Sequence, residues 1–280
     1  VYHRGWSAVT KHRTPWMMTE KMPPFDDDVW ELYDGSKDYS QARNLAKEMP
    51  EKLAYLQRLW LIEAVKYNVL PMDDRTGERA NAELAGRPTL IHGNSQLFFP
   101  GMGRLSENSV VNIKNKSFSI TAEVEINDKP ANGVIIAQGG RFGGWSVYAK
   151  DGKLKFVYNV LGIHEFTTEA TEPIPQGKHQ VRMEFAYDGG GLAKGGDVTL
   201  YYDGREVGKG RVQMTQPMVF SADETTDIGY ESGTPVSADY TTHNSRFTGK
   251  LHWVQLDTGK DDHDHFIDPE ERLRVAMARQ

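Results

Sequence analysis

Apolar and polar side chains alternate over Trp30-Glu31-Leu32-Tyr33-Asp34 until Gly35 ends the run, the pattern of a half-buried strand. Residues 1–12 set aromatic and branched side chains around Gly5 and read as a strand or hairpin. A loop rich in Pro, Met and Asp joins the two, from about Arg13 to Asp28. Further on the period changes. Ser40 is placed to cap a short helix over 41–47, and Pro50 suits the first position of a longer helix to about Tyr67. Leu53, Leu56, Leu59 and Trp60 recur at spacings of three and four, so this helix turns one stripe inward. Residues 1–70 are therefore expected to form a small α+β subdomain of antiparallel strands plus a helix.

Residues 71–88 are polar and broken by Pro and Gly, and read as a linker. From Thr89 the texture is all β. Phe118 to Ile126 alternates along almost its whole length, and Val134–Gln138, Trp145–Ala149, Leu154–Tyr158, His179–Tyr187, Val198–Tyr202 and Phe247–Leu256 add further strands. Asp151-Gly152 and Asp203-Gly204 between such runs are hairpin signals. Short strands at this spacing predict an all-β jelly-roll sandwich over 89–258. An acidic tail and a capped terminal helix, with Asp268 before Pro269, are expected over 259–280.

Composition narrows the function. No apolar run approaches the roughly 18 residues of a membrane span. A net charge of −6 with no basic stripe speaks against nucleic acid as a partner. The absence of cysteine removes disulfides, thiolate metal sites and cysteine nucleophiles. The first residues carry neither a start methionine nor a secretory pattern, and the chain is expected to begin in the middle of something larger.

Candidate chemistry is sparse. Gly139-Gly140-Arg141-Phe142-Gly143-Gly144-Trp145 lacks the Lys-Ser/Thr of a phosphate loop and opens into a strand, so it reads as a connection between strands. Arg141 and Trp145 are candidates for a glycan face, since aromatic platforms stack on sugar rings, with the core as the other fate of Trp145. His12, Arg13 and Trp16 make a cationic and aromatic cluster on the first long loop, a candidate substrate-side loop, or an ordinary exposed one. Asp223 and Asp227 could supply oxygen ligands to calcium, although turn formation explains them equally well. Asp261-Asp262-His263-Asp264-His265 has cation-binding chemistry, against the usual solvated tail. Glu123 and Glu125 share one side of a strand and match the paired carboxylates of a glycosidase in pattern only.

Trp30-Glu31-Leu32-Tyr33-Asp34, with Asp38, Asn44-Leu45-Ala46, Pro50, Leu53, Leu56 and Trp60, resembles the closing section of a sulfatase. Tyr2-His3-Arg4-Gly5-Trp6-Ser7-Ala8-Val9 is similar to the strand before it in that family. Residues 137–146 and 185–192 resemble the β-sandwich appended to bacterial arylsulfatases, and 181–207 is similar to laminin-G-like jelly rolls, a concanavalin-like architecture. The resemblance implies the C-terminal portion of a sulfuric ester hydrolase. Its partner would be an upstream sulfatase catalytic domain, its substrate a sulfated aryl compound or glycan, and its compartment the periplasm or the outside of a bacterial cell. Calcium and a formylglycine made from Cys or Ser in C/S-x-P-x-R would reside in that catalytic domain. None of the 13 prolines here has Cys or Ser two positions earlier, so no catalytic residue is carried over, no cofactor is expected in this chain, and the chain alone is expected to be inactive. The sandwich would then cover a flank, shape substrate access or build a homo-oligomer. The alternative is a stand-alone glycan-binding β-sandwich.

Overall fold

The computed structural model describes residues 1–14, 23–75 and 77–259. Trp16, the acidic tail and the expected terminal helix lie outside them. The chain forms two compact units, Val1–Thr76 and Gly77–Gln280.

In the first unit β1 (Tyr2–His3), β2 (Trp6–Thr10) and β3 (Trp30–Asp34) make a three-stranded antiparallel sheet, against which α1 (Pro50–Lys66) packs. Arg4 and Gly5 close the first hairpin with φ of 49° and 84°, the two left-handed residues of a primed turn that matches strand twist. Ala8, Leu32 and Leu56 are fully buried, with Trp6, Trp30 and Leu53 partly buried around them. Trp60 meets Trp30 edge to face at 5.8 Å. The helix expected over 41–47 does not form. Asn44 Oδ1 accepts hydrogen bonds from the Leu32 and Ala46 backbone N–H, and Leu45 N–H donates to Leu32 O, so the segment is tied beside β3 as a loop. The stripe that enters the core is narrow, and Leu61, Ile62 and Val65 are 49, 62 and 63% exposed.

The second unit is a sandwich of two antiparallel sheets. The larger has the order β12-β11-β10-β5-β14-β4: β4 (Ser95–Phe98), β5 (Phe118–Ile126), β10 (Gly177–Tyr187), β11 (Gly196–Tyr202), β12 (Arg205–Val212) and β14 (Lys250–Thr258). The smaller has the order β13-β6-β7-β8-β9: β6 (Gly133–Gly140), β7 (Gly143–Lys150), β8 (Lys153–Val160), β9 (His164–Glu169) and β13 (Thr226–Ile228). Phe118, Ile120, Ala122, Val124 and Ile126 of β5 join Ile135, Trp145, Val147 and Phe156 in one continuous core. Period-2 alternation sends one side of each strand there.

The other sides of both sheets are covered as well. Behind the smaller sheet, Val134, Ala137, Tyr148 and Val157 pack with Val236 and Tyr240, so the 230–246 segment straps that side. On the larger sheet the outward Ser119, Thr121, Glu123, Gln180 and Arg182 are buried polar residues. Arg182 donates from Nη1 to Thr121 Oγ1 and from Nε to Glu184 Oε1, both at 2.7 Å. The stretch read as a linker is also more ordered than expected. Asn81 accepts from Glu83 and Leu84 N–H to cap α2 (Ala82–Ala85), and its Nδ2 donates to Pro217 O at 3.2 Å. Residues 81–85 thus belong to the sandwich.

Candidate functional site

Two hairpin tips stand side by side at one end of the smaller sheet: Arg141-Phe142 between β6 and β7, and Leu161-Gly162-Ile163 between β8 and β9. A Cβ built on Gly162 would lie 2.9 Å from Arg141 O and 3.6 Å from Phe142 Cδ1, so the tips touch and only glycine fits between them. Phe142, Leu161 and Ile163 are 76, 56 and 71% exposed, and Arg141 is exposed beside them.

The tips are held from beneath by Asn159, which is fully buried. Its Nδ2 donates to Arg141 O at 3.1 Å and to Val236 O at 2.9 Å, and its Oδ1 accepts from Gly162 N–H at 2.9 Å. One amide thereby ties both tips to the strap. Arg141 N–H donates to Thr234 Oγ1 at 3.0 Å, and Thr234 donates onward to Glu224 at 2.7 Å. Below the strap, Glu231 accepts from Val236 N–H through Oε1, while Oε2, Tyr240 OH and Ser146 Oγ are buried without a hydrogen-bond partner. Burial, reinforced by the charges of Asp227 and Glu224, pushes the Glu231 carboxyl up to about 8, so it is neutral at pH 7. The resulting surface offers an aromatic ring, two aliphatic side chains and a guanidinium. Those groups suit the apolar face of a ring together with an anion.

Arg141 is thus at a surface that a ligand can reach, whereas Trp145 is not. Trp145 is wholly buried, with Nε1 donating to Gln138 Oε1 at 3.0 Å, because its strand position points into the core. The exposed aromatic is Phe142, three residues earlier. Its signal in the sequence is a bulky pair flanked by glycines, which places both side chains at the tip of a tight turn.

Asp227 is buried, and both its oxygens are engaged: Oδ1 accepts from Arg104 N–H at 2.7 Å, and Oδ2 from Ser232 N–H and Oγ at 2.8 and 2.7 Å. Asp223 is exposed and receives a hydrogen bond from Ser221 Oγ. Asp227 thereby ties β13 to the Arg104 and Ser232 segments. Among the described residues no group of three or more His, Asp or Glu side chains is placed to hold a metal ion. Glu123 pairs with Lys178 at 2.8 Å, and Glu125 with His252 at 3.1 Å, so neither faces a second carboxylate as a glycosidase pair would.

In the first unit His12 is clamped rather than open. Its Nδ1 meets Asp28 Oδ1 at 2.7 Å, its Nε2 meets Asp74 Oδ2 at 3.4 Å, and its ring stacks on Phe25 at 4.2 Å. The hydrogen bond to Asp28 is the main cause that raises its pKa. Arg13 beside it is half-buried.

No protein-family model matches the chain, and no curated protein matches it. Similar solved structures include the carbohydrate-binding module CBM40 of a Ruminococcus gnavus sialidase bound to α2,6-sialyllactose, at 10% identity and a TM-score of 0.39, covering 67% of this chain and 99% of that one. A putative carbohydrate-binding protein from Bacteroides ovatus aligns at 14% identity and a TM-score of 0.40, covering 64% of this chain and 49% of that one. The LG1-3 region of the laminin α2 chain aligns at 12% identity and a TM-score of 0.39, covering 60% of this chain and 35% of that one. These are distant likenesses, and no residue role is carried from them. Among the described residues no helix is long and apolar enough to cross a membrane.

Proposed function

We propose that this chain is the non-catalytic C-terminal portion of an arylsulfatase-type sulfuric ester hydrolase, exported to the periplasm or beyond, in which the first unit packs on the catalytic domain through the outer face of α1. One observation carries the reading. Leu61, Ile62 and Val65 stand largely in water on a helix whose enclosed stripe is only Leu56 and Ala64. Apolar positions grouped on one helix face are normally covered, and an uncovered group marks an interaction surface. The chemical identity of the partner rests on the resemblance of residues 2–9 and 30–60, and calcium and formylglycine belong to that partner. The test pairs a hydrophobic dye with sedimentation. The chain alone should bind dye and self-associate, and a co-expressed sulfatase catalytic domain should suppress both. A dye-negative monomer that ignores the catalytic domain overturns the proposal.

A second reading gives the sandwich a glycan of its own, bound at the rim, and the exposed Arg141-Phe142 pair favours it. A glycan array probed with and without calcium tests it directly. A hit abolished by Phe142→Ser supports this reading, and an empty array removes it.

A further inference from the structure

The first unit contains a cleft of about 770 Å³, within the range of small-molecule pockets, which run to roughly 300–1,000 Å³. The β1–β2 hairpin contributes His3 and Arg4, and the first turns of α1 contribute Glu51, Lys52 and Tyr55, with Glu48 just before them. The His3 and Tyr55 rings lie 6.2 Å apart, and Lys52 Nζ sits 5.0 Å above the Trp6 ring and 5.9 Å from the Tyr55 ring. Among the described residues neither Arg4 nor Lys52 has an ion-pair partner, while the neighbouring Glu48 is already taken by Arg43 at 2.8 Å.

Arg4 is unusual for its place. Asp151-Gly152 and Asp203-Gly204 build the same left-handed turn, at φ of 50° and 85° and of 48° and 79°, with Asp in the first position. Short polar residues enter that conformation most easily. An arginine there adds nothing to the turn, but it delivers a guanidinium to the cleft mouth. The lining carries Arg4 and Lys52 against Glu48 and Glu51, and the ion pair of Glu48 with Arg43 leaves one positive charge in excess.

We propose that this cleft binds a small ring compound bearing a single negative charge, with Arg4 pairing its anionic group and the Tyr55 and His3 rings lining its flat face. The cleft adjoins the proposed α1 docking face, since Tyr55 lies seven residues before Ile62 on the same side of the helix. A carboxylate suits the guanidinium, which pairs with it through two parallel hydrogen bonds, and Glu51 disfavours a second negative charge. Neutral rings forgo the pairing altogether.

The test titrates the whole chain with benzoate and, separately, with glucuronate, following backbone amides by NMR. Saturable shifts at Gly5, Lys52 and Tyr55 are expected with at least one of them, and the responding probe shows whether the ring is aromatic or a sugar. The methyl ester of that probe should produce none. Arg4→Asn keeps a residue that tolerates the turn and should weaken binding about tenfold, the usual worth of a charge-assisted hydrogen bond. Lys52→Gln should weaken it as well, with the Leu32 and Trp30 signals unmoved. No saturation by either anion at tens of millimolar overturns the proposal. So does equal binding by the Asn variant, or by the neutral ester.

Discussion

The two units reach order by different routes. The sandwich joins residues from both sheets into one core, encloses a second apolar cluster beneath the strap, and buries even the outward polar row of its larger sheet. Among its described residues the first unit has only Ala8, Leu32 and Leu56 as a fully enclosed cluster, and it leaves apolar side chains of α1 in water. Area removed from water is the main favourable term in folding. The sandwich thus encloses its apolar residues more completely than the first unit does, and the exposed side of α1 is what the proposed docking face rests on.

The sharpest way to break the comparison is Trp145→Ala. Emptying that wholly buried site should cost the sandwich about 3–5 kcal/mol. Amide signals of Ala8 and Leu32 should persist after the sandwich melts in denaturant. Simultaneous loss of both sets would mean that the units fold as one.

A second large effect is set by pH. The Glu231 carboxyl is held up to about 8 in the fold, against an ordinary 4.5, so its contribution is complete below 4.5 and lost as pH rises through about 8. Within that window the sandwich should lose about 1.4 kcal/mol per pH unit. Glu231→Gln should flatten the slope in urea melts at pH 5 and pH 8; an unchanged slope would show that another group titrates.

Asn159→Leu should cost about 2–4 kcal/mol, because it strands the buried groups that the amide satisfies. Hydrogen exchange should accelerate at Arg141, Gly162 and Val236 together. Acceleration at one tip only would refute the shared brace.

In the first unit the effects are small. Ile62→Lys with Val65→Glu should change stability by less than about 0.5 kcal/mol, as at exposed sites generally, while abolishing dye binding. The smallest is His12. Its raised pKa means that its stabilising effect is whole below 6.5 and fades as pH rises through the higher folded value. His12→Gln should remove that pH dependence in thermal melts of the first unit.

The strands that could be read in advance are those whose alternation is clean or whose turns are Asp-Gly: β3, β5 through β8, β10, β11 and β14. β9 is charged and exposed along most of its length, and β12 carries Gly208 and Gly210, so neither shows an apolar period. β4 and β13 are too short for one. The candidate site was legible by half. Arg141 could be placed at a surface, but alternation alone does not say which of Phe142 and Trp145 faces water. That depends on where the turn falls within a glycine-rich run. The fate of the outward face of β5 was hidden for another reason: burial there depends on residues distant in sequence, so polar side chains read as solvated when they are enclosed.

Hairpin tips are ordinarily where a fold accepts insertions and varies freely in length. The Asn159 amide removes that freedom here, since a residue added to either tip would pull Arg141 O or Gly162 N–H off the same side chain and loosen the strap through Val236. Three surface segments must therefore be remodelled together or left alone. Anyone grafting a new specificity onto this scaffold should treat them as one cassette.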